Sequence, residues 1–107
     1  MNNLAYKMEE KSSIPALYIL NENNMRFLDD IYIFTKLDES YIMKYSQTNI
    51  ENIKEVLKNK DTSNGIIIVY NSGVEAQNIL EQIKQTYNYS KEEDVQSLNA
   101  GMVKYLY

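Results

Sequence analysis

The sequence predicts an α+β fold: one small domain, a mixed sheet of four to six strands, and helices packed on it as a two-layer sandwich. Three observations carry this. Residues 65–87 run from an unbroken apolar stretch through a polar turn into an amphipathic pattern. Residues 48–60 repeat the amphipathic pattern, and four further short runs are rich in β-branched and aromatic residues. The element order reads β-β-(β)-α-β-α-(α)-β, over a single domain spanning 1–107.

Ile66-Ile67-Ile68-Val69-Tyr70 anchors the reading. Branching at Cβ suits a pleated surface, and the lack of polar alternation marks a strand covered on both faces. That second property argues for a rival three-layer arrangement. Ser72 followed by Glu75 is a capping-box pattern, and Ala76, Ile79, Leu80, Ile83 and Tyr87 then recur at helical steps.

In chain order, residues 1–13 read as a short helix carrying Leu4 and Met8, or equally as a frayed terminus. Ile14-Pro15 opens an extended segment. Ala16 to Leu20 is a strand, 21–24 a polar turn, and Met25 to Leu28 an optional strand. Ile31 to Phe34 and Tyr41 to Ser46 are strands joined by the polar turn 37–40, which predicts an antiparallel hairpin. Thr48 and Glu51 form a second capping-box pattern ahead of a helix to about Lys60. Its apolar face is Ile50, Ile53, Val56 and Leu57. Residues 61–65 are a loop. Ser90 and Glu93 form a third capping-box pattern, predicting a short helix to Leu98. Met102 to Tyr107 closes the chain as a strand.

Composition removes several chemistries. The chain has no cysteine and no histidine, so it lacks disulfides, thiolate metal sites and every nucleophile–histidine arrangement. The net charge of −4 disfavours nonspecific contact with nucleic acid or anionic membrane. No stretch is long and apolar enough to span a bilayer, and residues 1–11 lack the pattern of a secretion signal. The cytoplasm is the default location.

Three groups of residues are candidates for a site. Asn71, Ser72 and Gly73 form a turn at a helix start, where free N–H groups can hold an anion. No phosphate-loop spacing accompanies them, and simple capping is the plainer reading. Asp29, Asp30, Asp38 and Glu39 could gather at the hairpin as a cation or acid–base site, though solvated turns explain them more simply. The third feature is ten tyrosines against two phenylalanines. Tyrosine offers wide contact area with a hydrogen-bonding tip, which suits recognition surfaces. Tyr41 and Tyr45 are expected on one strand face, Tyr105 and Tyr107 on another. A sheet also accepts tyrosine at half-buried positions, and AT-rich coding enriches it.

These features favour a non-enzymatic protein-binding module that acts stoichiometrically, without a cofactor or metal. Its partner is another protein or a second copy. Small phage or mobile-element inhibitors of host-defence or nucleic-acid-processing proteins fit that description. Two alternatives stand beside it. One is a small-ligand or nucleotide binder at turn 70–73. The other is an enzyme working through carboxylates, tyrosine or lysine, with or without a metal.

Overall fold

A computed structural model describes residues 14–21, 40–98 and 101–107 of the chain. The expectations for 1–13, for the strands at Met25 to Leu28 and Ile31 to Phe34, and for Asp29, Asp30, Asp38 and Glu39 lie outside the described residues.

Five strands form one mixed sheet, ordered β2-β1-β3-β5-β4. They are β1 (Ala16–Leu20), β2 (Ser40–Lys44), β3 (Ile66–Asn71), β4 (Glu92–Leu98) and β5 (Gly101–Leu106). Two helices complete the described elements, α1 (Ile50–Leu57) and α2 (Gln77–Tyr87). β1 lies between β2 and β3 and is parallel to both. β5 is antiparallel to β3 and to β4. β2, expected in an antiparallel hairpin with Ile31 to Phe34, has β1 as its described partner, in parallel. A period of two reports which face a residue takes, but not which strand lies beside it.

The period of two divides the core. Leu17 and Ile19 of β1, Ile66 and Ile68 of β3, and Leu106 of β5 face Ile53 and Leu57 of α1 and Ile79, Leu80 and Ile83 of α2. Both described helices therefore lie on one face of the sheet, as expected. Ala16, Tyr18 and Leu20, with Ile67, Val69, Val103 and Tyr105, form a second buried cluster on the opposite face. Tyr18, Leu20 and Val69 are fully inaccessible there. Burial on both faces is why residues 66–70 show no polar alternation.

The helix starts differ from the sequence reading. α1 is capped by Asn49, whose side chain accepts from the N–H of Asn52 at 2.9 Å. The Thr48 hydroxyl instead donates to the Lys44 carbonyl at 2.8 Å. α2 begins at Gln77 behind Ala76 with no side-chain cap, so Ser72 and Glu75 do not form a capping box. Asparagine is as good an N-cap as serine or threonine, so Thr48 and Asn49 side by side leave the start undecided until packing sets the helix axis. α2 ends on Asn88 in the left-handed region at φ 61°, a conformation asparagine tolerates.

The predicted helix over 90–98 is strand β4. Glu92, Glu93 and Asp94 imitate an acidic first turn, but Glu92 and Asp94 are bound by lysines from other elements. The Lys104 ammonium meets Glu92 at 2.7 Å and Asp94 at 3.3 Å, and Lys84 of α2 reaches Glu92 at 3.1 Å. Lys104 and Glu92 are only 13% and 18% exposed. This cross-strand network holds a polar edge strand that has little apolar surface of its own to bury.

The Lys104 hydrogen bond holds the Glu92 carboxyl below its ordinary value of 4.5. A depressed carboxyl stabilises the fold above the unfolded-state value, and that stability is lost as pH falls through the folded-state value. Glu92→Gln is therefore expected to destabilise at pH 7 by about 1.5–3 kcal/mol, the range for hydrogen bonds to charged groups. The gap to the parent chain should narrow as pH falls below 4.5, where the unfolded chain takes up a proton, and close once the folded-state carboxyl is protonated as well. Urea denaturation at pH 7 and pH 3 measures it. An equal gap at both pH values would refute the assignment.

Candidate functional site

Two concave surfaces stand out among the described residues. The first is a crevice at the carboxyl ends of the three parallel strands, with a volume of 730 Å³. β3 delivers Tyr70 to it. The single 3-10 turn that follows β2 (Tyr45–Gln47) delivers Tyr45, with Thr48 just beyond. The stretch from Val74 into the first turn of α2 makes the other wall. The Tyr45 hydroxyl donates to the Glu75 carbonyl at 3.1 Å and ties the two walls together. The Tyr70 phenol is pushed up from its ordinary value by burial.

Asn71, Ser72 and Gly73, the candidate anion turn, border this end of the sheet. Asn71 is 1% exposed, and its Oδ1 accepts from the backbone N–H of Asn21 at 2.7 Å. The amide thus joins the ends of β1 and β3. Ser72 and Gly73 are exposed. Because α2 starts at Gln77, the donors of its first turn lie beyond the turn at 71–73.

The second surface is a groove of 470 Å³ beside β2, lined by Tyr41, Ile42, Lys44, Asn52, Glu55 and Val56 among others. Among the described strands, β2 ends the order. Tyr41 and Ile42 are 41% and 37% exposed. Among the described residues, Tyr107 is the other large apolar residue exposed. The opposite edge, β4, carries three acids in its first three residues and a register shift between Asp94 and Gln96. Charges and bulges are devices that keep a sheet edge from pairing with another chain. β2 carries a single charge, Lys44, keeps an unshifted register with β1, and exposes Tyr41 and Ile42.

The tyrosine surface expected from the sequence is not assembled as one patch. Tyr105 is 7% exposed on the face opposite the helices, and its hydroxyl donates to the Asn64 carbonyl. It is a core residue. Tyr107 stacks on it at 4.5 Å between centroids, with the Lys91 ammonium 5.8 Å above the Tyr107 ring. Tyr45 leaves β2 for the 3-10 turn and packs half-buried against the core. Tyr41 alone of the four lies on the β2 edge, three strand steps from β5, or about 14 Å at ~4.8 Å per step. Tyr87 and Tyr89 stack at 5.8 Å, and the Tyr89 hydroxyl donates to the Thr62 carbonyl. Burial pushes the Tyr89 phenol up to about 12. Strand register, absent from residue identity, separates the exposed rings from the buried ones.

Among the described residues, no group of three or more carboxylates gathers where a cation could sit. No helix among them is long and apolar enough to cross a membrane. Comparison with protein-family models, curated proteins and solved structures gives no match to this chain.

Proposed function

We propose that this chain is a small acidic protein-binding module without catalytic activity, and that it takes an extended segment of its partner along the outer edge of β2. It acts stoichiometrically, in the manner of small inhibitors that occupy a host-defence or nucleic-acid-processing protein. The observation that carries this is the contrast between the two ends of the sheet. β4 has three acids and a register shift, whereas β2 has one charge and an unshifted register and bears the exposed Tyr41 and Ile42. A strand added to such an edge gains main-chain hydrogen bonds, and alternate side chains enter the flanking pockets. The groove between β2 and α1 supplies such a pocket beside Tyr41 and Val56. The missing histidine and cysteine, and the absence of a gathered carboxylate set among the described residues, favour binding over catalysis.

The test uses the whole chain as bait in an extract of its source cell, beside the double variant Tyr41→Lys/Ile42→Lys. Both side chains are exposed, so circular dichroism should be unchanged. The expected result is one protein recovered in a fixed ratio by the parent chain and reduced at least tenfold by the variant. Sedimentation of the purified chain covers the case in which the partner is a second copy, and the variant should then be monomeric. A partner held equally by both chains, or no partner in either experiment, rejects the reading.

A further inference from the structure

We infer that the crevice at the carboxyl ends of β1–β3 binds a small, flat, amino-bearing ring compound, neutral or cationic, of which adenine is the simplest probe. This site shares no lining residue with the β2 groove and stands independently of the protein-binding reading.

Its position follows from topology. The strand order β2-β1-β3 places the successor of β1 on one side of it and the next strand on the other. In open sheets with parallel strands, the crevice outside the carboxyl ends at such a reversal is where ligands bind. The volume of 730 Å³ falls within the range of small-molecule sites. The Tyr45–Glu75 hydrogen bond holds the walls together without a ligand, so little order must be gained on binding.

Its chemistry follows from the lining. Val74, Ala76 and Ile79 are buried and give an apolar floor. Tyr45 and Tyr70 add aromatic surface, which favours a flat ring and attracts a cation to its face. Asn78 and the Tyr70 hydroxyl can donate or accept, while the other polar side chains are set to accept. Thr48 spends its proton on the Lys44 carbonyl and offers oxygen lone pairs. Gln77 donates its amide to Glu81 at 3.0 Å, so it offers its carbonyl oxygen. Glu75 is an exposed carboxylate. Lysine and arginine are absent from the lining. The main-chain N–H groups at the start of α2 remain as donors for a ring nitrogen, and the Glu75 carboxylate beside them opposes an anion. The site therefore selects a compound that donates hydrogen bonds and lacks a phosphate.

The experiment is a titration followed by amide and tyrosine-ring NMR shifts, with adenine, adenosine, adenosine monophosphate and inorganic phosphate as separate probes. Adenine and adenosine should shift the signals of Tyr45, Thr48, Tyr70 and residues 74–79, and bind at least tenfold more tightly than the monophosphate. Glu75→Gln, a change at an exposed side chain, should narrow that preference severalfold while leaving the spectrum otherwise intact. The inference is overturned if the unphosphorylated probes shift nothing at millimolar concentration, or if the shifts map elsewhere. It is equally overturned if the monophosphate or phosphate binds as tightly as adenine.

Discussion

Gly65→Ala is expected to lower stability by about 3–5 kcal/mol, summing backbone strain and overpacking. Gly65 sits at φ +111°, beyond the left-handed pocket that asparagine or aspartate can enter. A Cβ built there would lie 2.5 Å from the Leu106 carbonyl oxygen and 2.5 Å from Cε1 of Tyr105. Neither neighbour can yield easily. Leu106 is fixed by pairing with Ile66 on one side and Glu92 on the other. The Tyr105 ring is held by its bond to the Asn64 carbonyl and by the stacked Tyr107. The methyl group would therefore push apart β3 and β5 at the very start of the central strand. Gly73 is the internal control. Its φ is +89°, but the nearest atom to an added Cβ is the Asn21 side-chain nitrogen at 3.5 Å. Gly73→Ala should show the strain alone, about 1–2 kcal/mol. Urea denaturation of both variants decides the matter, and equal losses would mean that crowding at Gly65 has been misjudged.

Asn71→Leu should destabilise by about 1–3 kcal/mol despite conserving volume, because a part-buried backbone donor loses its acceptor. Asn71 is the one buried polar residue among the described ones, and its Oδ1 takes the N–H of Asn21 at 2.7 Å. Leucine cannot accept that bond. The ends of β1 and β3 would then lose this tie just beyond their last paired residues, Ile19 and Tyr70. Amide exchange gives the specific readout: the Asn21 N–H should exchange at least tenfold faster, with amides at the far end of β3 changing less. A purely global loss, with every core amide accelerated equally, would show that the side chain adds stability without tying these two ends.

The elements legible in the sequence were those where burial imposes a period. β1 and β3 are apolar on both faces, α1 and α2 on one, and each was readable from its own residues to within a few positions at its ends. β5 was readable as well, with a start one residue earlier than expected. β4 was not, because an edge strand held by ion pairs to Lys84 and Lys104 keeps its acids and shows no apolar period. Its partners lie eight and twelve residues away, and nothing local to 90–98 announces them.

The candidate sites divide in the same way. The turn at 71–73 was visible as a break after a buried strand, but its role as a junction depends on Asn21, fifty residues earlier. The tyrosine excess was plain from composition. Which ring is a core residue, as Tyr105 is, and which faces outward, as Tyr41 does, is set by register and strand order. By itself the sequence determined the fold class, the positions of the strongly apolar strands and helices, and the absence of histidine and thiol chemistry. These depend on residue type and short-range spacing, which a linear chain carries in full. Only the tertiary structure decided the pairing of β2 with β1, the strand at 92–98, the crevice walls and the uneven sheet edges. Each of these is a contact between residues distant in the chain, and its free energy exists only once the chain has closed on itself.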